Sequence, residues 1–204
     1  MPPIYHFTYL ANLGSILAAG EVRCHSTADG SVDVADATIK SRRMSKQVPC
    51  GPGGTVGDYV PFYFAPRSPM LFRIQRGGVE NVSSDPARLV YLVSSTEAVV
   101  QGGHDYVFTD GNAAAAFTAF HDDVDSLGEV VDWPLMKATM WANTPADPDR
   151  RRRRGAEFLV HHALPFELVD RLCVHNAEAR SAVAAAAADA GWEVEVRIRG
   201  GWYF

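Results

Sequence analysis

The sequence predicts an α+β domain, in which short strands and helices follow one another irregularly. The clearest strand is Arg88–Ser94, a near-continuous apolar run of the kind found inside a sheet. The clearest helix is Ala177–Ala190, which Gly191 closes. The lengths and order of the elements do not match a doubly wound parallel sheet. No Gly-x-Gly-x-x-Gly follows a strand and no Gly-x-x-x-x-Gly-Lys-Ser/Thr occurs, which leaves a Rossmann site without support and excludes a P-loop.

The N-terminal part of the chain predicts a series of elements before a turn rich in glycine and proline that starts at Cys50. They are a strand at Tyr5–Thr8, a helix capped by Asn12 and closed by Gly20, a strand at Glu21–His25 and a helix at Val34–Arg43. Asp58–Ala65 then has the composition of a strand. Because Pro61 has no N–H for a ladder hydrogen bond, an edge strand or a bulge is expected there.

The remainder of the chain predicts short elements in close succession. Met70–Gln75 fits a strand or a helix, and Ala113–Phe120 fits a helix. The other predicted segments are a helical turn at Thr96–Gln101, strands at Asp105–Thr109, Glu157–His161, Cys173–His175 and Glu193–Arg199, and helices near Pro134–Trp141 and at Pro165–Leu172. His161 and His162 are adjacent and are expected to point to opposite faces of a strand.

Length and composition favour one globular domain over residues 1–204. Of the 204 residues, 47% are hydrophobic and 21% are charged, a balance that excludes a disordered or coiled-coil protein. The sequence has neither an apolar run long enough for a transmembrane helix nor a secretory signal, so no membrane partner is expected. Cys24, Cys50 and Cys173 fit no disulfide or metal pattern, which indicates a cytoplasmic protein.

Charge is distributed unevenly along the chain. The formal net charge is −5, which argues weakly against a nucleic-acid partner. Basic residues are nevertheless clustered, in five consecutive arginines at Arg150–Arg154 and in two smaller groups at Lys40–Lys46 and Arg67–Arg76. Five adjacent arginines cannot share one helix face, so several are expected to point to solvent or to a polyanion. Local charge therefore permits nucleic-acid binding.

Few residues carry a recognisable catalytic pattern. The seven histidines lack partners at ligand spacing and no Gly-x-Ser-x-Gly is present, so neither a metal site nor a serine hydrolase is expected. Glu157 is the exception, because it opens an apolar strand directly after the arginine run. A carboxylate at the mouth of a buried strand is either a salt-bridge partner for those arginines or an active-site acid. The residues alone leave both readings open.

Six segments, taken in chain order, resemble a known protein family. They are Tyr5–Thr8, Ile39–Arg43, Asp58–Met70, Tyr91–Ser95, Phe108–Gly111 and Ala156–Val160. The most specific is DYVPFYFAPRSPM, which starts at Asp58. From Tyr5 to Phe204 the chain is similar to the DarT family, the DNA ADP-ribosyltransferase toxins of bacterial toxin–antitoxin systems.

The resemblance implies an ADP-ribosyltransferase-like fold, in which two small sheets with surrounding helices frame a cleft for NAD. It implies an enzyme that cleaves the nicotinamide–ribose bond of NAD and transfers ADP-ribose to thymine in single-stranded DNA, or to guanine in another branch. NAD is the co-substrate, no metal is implied, and a macrodomain antitoxin is the expected protein partner. Two alternatives keep the fold: transfer to RNA or protein, and binding of NAD or nucleic acid without transfer. Retention of His6, Arg43 and Glu157 argues against the second.

The resemblance also implies roles for individual residues. Glu157 and Arg43 match the catalytic glutamate and arginine, with Arg42 as the other candidate for the arginine. Contacts to NAD are implied for His6, Phe7, Thr8, Gly14 and Arg43, and contacts to DNA are expected for Asn112, His121, Arg67, Arg73, Arg150, Arg151 and Arg152. Asn112 is a departure, because relatives are expected to have histidine there and asparagine cannot carry a proton.

Overall fold

The computed structural model describes residues 1–27, 37–79 and 83–204, which form short strands and helices in mixed order. The strands are β1 (Pro3–Tyr9), β2 (Glu21–Arg23), β3 (Tyr59–Tyr63), β4 (Leu89–Ser95), β5 (Tyr106–Thr109), β6 (Phe120–His121), β7 (Glu157–His161), β8 (Ala163–Pro165), β9 (Arg171–Val174) and β10 (Glu195–Ile198). The α-helices are α1 (Leu10–Ala19), α2 (Ala37–Ser45), α3 (Pro69–Gln75), α4 (Thr96–Gln101), α5 (Leu127–Val130), α6 (Trp133–Lys137), α7 (Arg150–Arg154) and α8 (Ala177–Asp189). The α+β prediction is confirmed. Within the described residues, no helix has the length and apolar character needed to cross a membrane.

Most of the strands belong to one sheet, in the order β10-β9-β4-β1-β3-β7-β5-β6, while β2 pairs with β8. Neighbouring strands are antiparallel except β9 and β10, which are parallel. Strand β7 lies between β3 and β5, and its residues from Glu157 to Val160 are fully buried. The sheet order therefore carries Glu157, at the start of β7, into the interior of the protein.

The eight-stranded sheet consists of two halves of four strands that meet at one residue pair. Strands β1 and β4 pair from Pro3 to Tyr9, whereas β1 and β3 pair only at Tyr5–Tyr63. Pro61 explains the opening, because it lacks an N–H and its carbonyl accepts a hydrogen bond from His6 Nδ1 at 2.8 Å. In antiparallel strands the N–H and C=O of one residue face the same neighbour, so Pro61 turns its incomplete side toward β1.

Strand β3 is therefore an interior strand, and the edge expected from Pro61 exists only on the side where the sheet opens. The two half-sheets agree with the predicted pair of small sheets around a cleft.

Apolar residues pack against both faces of the sheet. On one face, Leu17 of α1 and Val183 of α8 belong to the largest cluster, which also takes Ile4 of β1. The second cluster is aromatic, and in it the ring of Tyr91 lies 5.8 Å from that of Phe7. Alternate residues of β1 thus enter the two clusters, which holds β1 rigidly beside the opening.

Near the N-terminus, the predicted elements are present but differ at their ends. Gly20 closes α1 with a φ of +68°, as expected for a left-handed helix cap. The helix begins at Leu10, however, so Asn12 lies inside it and is not its cap. Of the helix predicted at Val34–Arg43, residues 34–36 lie outside the described part of the chain, and α2 starts at Ala37.

Three predictions further along the chain are wrong. The helix expected at Ala113–Phe120 does not form, because the N–H of Ala119, which would donate to the Ala115 carbonyl in a helix, donates to Asp110 Oδ1 at 2.9 Å. The segment is a series of turns that leads into β6. His161 and His162 do not point apart, since a φ of +60° at His162 ends the strand and brings the two ring centroids to 3.7 Å. The helix predicted at Pro165–Leu172 is reduced to one 3₁₀ turn.

The arginine run forms α7, and the protein itself neutralises most of its charge. Arg151 is exposed. Arg152 forms ion pairs with Asp110 at 2.9 Å and with Asp149 at 2.8 Å. Arg153 pairs with Asp147 at 2.7 Å and with Asp132 at 3.2 Å. Of the several arginines expected to point to solvent or to a polyanion, Arg151 is exposed, while Arg152 and Arg153 are partly exposed and paired with acids from the loops around α7.

Arg154 is the buried member of the run, with 4% of its surface exposed. Its guanidinium donates to the carbonyls of Leu135 at 2.6 Å, Met136 at 2.7 Å and Arg67 at 3.0 Å. Burial, helped by the nearby Arg67 charge, lowers the pKa of Arg154 to about 10. The side chain therefore stays charged at neutral pH and ties α6 and the segment before α3 to α7.

We expect Arg154→Met to lower the free energy of unfolding by about 3 kcal/mol, because it leaves several buried carbonyls without a donor. Arg151→Met is the matched control in the same helix, and its effect should stay within about 0.5 kcal/mol because its side chain is exposed. Urea unfolding of the two variants measures the difference. Equal midpoints would show that the Arg154 hydrogen bonds contribute nothing to stability.

Candidate active site

A buried ion pair joins α2 to the first residue of β7. Arg43 Nη1 lies 2.8 Å from Glu157 Oε2. Glu157 is fully buried and the Arg43 side chain is 15% exposed. Arg42, the other candidate, is exposed, since adjacent helix residues point in different directions. The partner of Glu157 is therefore Arg43, and the alternative of a salt bridge to the arginine run is wrong.

The second oxygen of the Glu157 carboxylate is held by the loop after β5. Oε1 accepts a hydrogen bond from the backbone N–H of Ala113 at 3.0 Å. Thr109, at the end of β5, uses its buried hydroxyl to accept from the Glu157 N–H at 3.0 Å and to donate to the Gly111 carbonyl at 2.7 Å. The carboxylate is thus fixed at both oxygens, and its backbone is fixed by Thr109.

Arg152 holds the same loop from the other side. Its guanidinium forms a bidentate contact with Asp110, at 2.9 and 3.0 Å, and its carbonyl accepts from the Asn112 N–H at 3.0 Å. A Cβ at Gly111 would overlap with the Arg152 guanidinium. A side chain at position 111 would therefore push the Arg152 guanidinium away from Asp110.

One atom of Arg43 remains available at this site. Nη2 is buried and has no hydrogen-bond partner among the described residues. A buried charged donor without a partner is costly, so its position fits contact with a bound polar group. The residues present thus fit a substrate such as NAD, whose ribose hydroxyls and carbonyl oxygens are acceptors.

His6 lies at the opening between the half-sheets. Burial lowers its pKa, the hydrogen bond to Pro61 opposes that shift, and the Arg43 charge adds to it. The imidazole is therefore neutral at pH 7. With Nδ1–H assigned as the donor to the Pro61 carbonyl, Nε2 is the acceptor atom of the ring.

The other predicted NAD residues lie on or just after β1. Thr8 is buried and its hydroxyl accepts a hydrogen bond from Asn12 Nδ2 at 2.9 Å, which is the role that Asn12 has in place of capping. The ring of Phe7 is buried in the aromatic cluster and stacks with that of Tyr63 at 6.1 Å. Gly14 is exposed on α1. Contact of these residues with NAD stays a prediction.

Tyr63 lies beside Glu157 at the site, and the sequence indicated it only as one member of the aromatic run from Tyr59 to Phe64. It pairs with Glu157 across β3 and β7. Burial raises the pKa of Tyr63 well above its usual value, the Glu157 charge raises it further, and Arg43 and a hydrogen bond from Ser68 oppose the shift. The aromatic run from Tyr59 to Phe64 was a signal, but periodicity does not distinguish a site tyrosine from a core one.

The predicted DNA contacts are spread around the loop after β5 and around α7. Asn112 Oδ1 accepts from the Ala114 N–H at 3.1 Å, so this asparagine stabilises a turn. The ring of His121 stacks on Phe108 at 5.5 Å. Arg150 donates to the Met140 carbonyl at 2.8 Å, and Arg151 is exposed.

The remaining arginines predicted to contact DNA have partners within the protein. Arg67 lies over the ring of Phe204 at 4.4 Å and Arg73 donates to the Gly78 carbonyl at 2.9 Å. Arg152 is held by its two carboxylates. Their contact with DNA stays a prediction.

A glutamate and an arginine that face each other beside two half-sheets are the arrangement expected of an ADP-ribosyltransferase, so fold and site together define that class of enzyme. The family model described as DarT, single-stranded-DNA thymidine ADP-ribosyltransferase, matches residues 5–204. The chain belongs to the DarT family.

Individual relatives agree with this membership. A DNA ADP-ribosyl transferase of Thermus sp. (strain 2.9) is 38% identical over 175 residues, which cover 85% of this chain and 81% of the relative. The solved structure of Thermus sp. 2.9 DarT in complex with ADP-ribosylated single-stranded DNA has a TM-score of 0.93 at 34% identity, covering 99% of this chain and 96% of the other. The same protein in complex with NAD⁺ has a TM-score of 0.88 at 33% identity, with coverage of 99% and 97%.

We expect Thr109→Val to impair both stability and turnover, because it keeps the side-chain shape but removes the hydroxyl that fixes the Glu157 backbone. A buried N–H and a buried carbonyl then lose their partner, which should cost about 2 kcal/mol in the free energy of unfolding. Thr109→Ser retains the hydroxyl and is the matched control. Unfolding curves together with the rate of nicotinamide release test this, and identical behaviour of the two variants would contradict the role given to the hydroxyl.

Proposed function

We propose that this chain transfers ADP-ribose from NAD to thymine in single-stranded DNA and releases nicotinamide, as a toxin that acts in the cytoplasm. The observation that carries the proposal is the contact of 2.8 Å between Arg43 and the buried Glu157, beside an opening between two half-sheets. Family membership and the NAD⁺ and DNA complexes of the Thermus relative support the choice of both substrates.

Glu157 stabilises the positive charge that develops when nicotinamide leaves. Cleavage of the bond between ribose C1′ and the nicotinamide nitrogen gives a transition state like an oxocarbenium ion, as in glycoside hydrolysis. Nicotinamide leaves as a neutral molecule and takes the bonding electrons, so it needs no acid. A carboxylate held at Oε1 by Ala113 and at Oε2 by Arg43 is a fixed negative charge beside the ribose, which is the condition for electrostatic catalysis.

Arg43 stabilises the acceptor base. The thymine ring nitrogen forms the new bond to C1′ and loses its proton, so negative charge accumulates on the neighbouring carbonyls as the bond forms. The guanidinium group offers only donors, and Nη2, which has no partner among the described residues, can donate to a base carbonyl. The proton leaves to solvent or to Glu157.

We also propose contacts with NAD for His6, Phe7, Thr8 and Gly14. The Nε2 acceptor of His6 is the best supported of these contacts, because burial keeps that ring neutral.

For DNA, the exposed Arg151 is the member of the arginine run best placed to meet a phosphate. A macrodomain antitoxin as the protein partner is supported by the resemblance to the DarT family.

We expect Glu157→Gln to reduce transfer by about 10²–10³, because the amide keeps the shape of the carboxylate and loses its charge. It should also lower the free energy of unfolding by about 1–3 kcal/mol, because its NH₂ must face either Arg43 or the Ala113 N–H, which are both donors. Glu195→Gln, at an exposed glutamate of β10, is the matched control. The measurements are mass spectrometry of an oligonucleotide after incubation with NAD, and far-UV circular dichroism. Transfer by Glu157→Gln near the wild-type rate would remove Glu157 from the catalytic role.

The acceptor base is tested by substitution within a modified oligonucleotide. Replacing the thymine by uracil keeps the ring N–H and removes only a methyl group, so reduced activity should persist. Cytosine has no ring N–H at that position and should not react. RNA and duplex DNA of the same sequence are tested beside it. Equal modification of the cytosine oligonucleotide, label confined to guanine, or a preference for RNA would make the thymine assignment wrong.

A further inference from the structure

Phe117 is an aromatic residue turned almost wholly to solvent. Its side chain is 92% exposed, whereas the next most exposed phenylalanine among the described residues, Phe204, is 37% exposed and lies under Arg67. Phe117 therefore contributes nothing to the core, and its ring is available on both faces.

The loop that carries Phe117 is held in place by its own hydrogen bonds. Thr118 Oγ1 donates to the Asn112 carbonyl at 2.7 Å, and the Ala119 N–H donates to Asp110 Oδ1 at 2.9 Å. Arg152 fixes Asp110 in turn. The ring is thus presented from a closed, anchored loop, so a partner that contacts it has little backbone to order.

The position of this loop relates Phe117 to the reacting groups. Ala113, four positions earlier, donates to Glu157, so the Cα of Phe117 lies within about 14 Å of the Cα of Ala113. On the side of α2, Lys46 Nζ donates to the carbonyl of Ala116 at 3.3 Å. An ammonium has three donors, so donors remain there for a phosphate. An exposed ring and a cation therefore stand side by side near the acceptor site.

We propose that the ring of Phe117 stacks on a base of the single-stranded DNA substrate close to the modified base, with Lys46 at a neighbouring phosphate. This rests on the proposed function. Aromatic faces beside basic groups are how proteins hold single strands without reading their sequence, since every base has a face that can stack. Stacked nucleotides rise about 3.4 Å each, so the stacked base lies within about four positions of the acceptor.

The first test compares Phe117→Ala, Phe117→Leu and Phe117→Trp in steady-state transfer to an oligonucleotide. We expect kcat/KM for DNA to fall about 5- to 150-fold with alanine, to fall comparably with leucine, and to be retained with tryptophan. Met140→Ala, at another exposed apolar residue (75%), is the matched control. NAD affinity, measured by calorimetry, should be unchanged in all variants.

The second test is an abasic scan of the same oligonucleotide, up to four positions on either side of the acceptor. For the wild type, we expect kcat/KM to fall when the base that stacks on Phe117 is removed. For Phe117→Ala, removal of that same base should leave kcat/KM unchanged. The proposal would be overturned if Phe117→Ala had the kcat/KM of the wild type. It would also be overturned if, at every position, the variant and the abasic site lowered kcat/KM independently of each other. If the wild type modified no oligonucleotide, the proposed function would fail instead, so the two failures are distinguishable.

Discussion

The carboxylate of Glu157 is a negative charge with no access to water, and the site is organised around the groups that compensate it. A buried charge without partners would cost several kcal/mol, so each oxygen must have a donor. Arg43 supplies one and the Ala113 N–H the other. Removal of either partner would leave an uncompensated charge, which makes the positions of α2 and of the loop after β5 mutually dependent.

The Ala113 N–H can bind Glu157 only if the loop after β5 is itself held in place. The loop is held by Thr109 beneath it and by the ion pair of Arg152 with Asp110 beside it. The arginine run, which in the sequence resembles a surface for a polyanion, has a structural role in the fold. Arg152 fixes the loop after β5, and Arg154 holds α6 against α7. The charges of this basic segment are balanced because carboxylates from other parts of the chain lie next to it in the folded protein.

The opening in the sheet also follows from the need to pair every buried hydrogen-bonding group. Pro61 cannot donate to β1, and its carbonyl is satisfied by the His6 ring instead of by a strand. The two half-sheets separate where β1 and β3 no longer share backbone hydrogen bonds, and the Pro61 carbonyl is still paired. The histidine that satisfies the carbonyl is buried, and burial, with a smaller contribution from the nearby Arg43 charge, lowers its pKa and keeps the ring neutral.

Local patterns in the sequence were sufficient for strands such as β4 and β7, for α8 and for the closure of α1 at Gly20. Such patterns act over a few residues, through side-chain alternation and helix capping. The family resemblance picked out Glu157 and left the arginine open between two neighbours, because adjacent residues look alike in a motif although they point in different directions on a helix.

Only the tertiary structure decided which groups meet. Arg43 and Glu157 are 114 residues apart, and Ala113 and Glu157 are 44 apart. The turns at Ala113–Phe120 replace an expected helix because Asp110, which the distant Arg152 holds in place, takes the Ala119 N–H. No local rule contains that ion pair, so the chain by itself indicated most of the elements and the candidate residues, while contacts between distant segments determined the site.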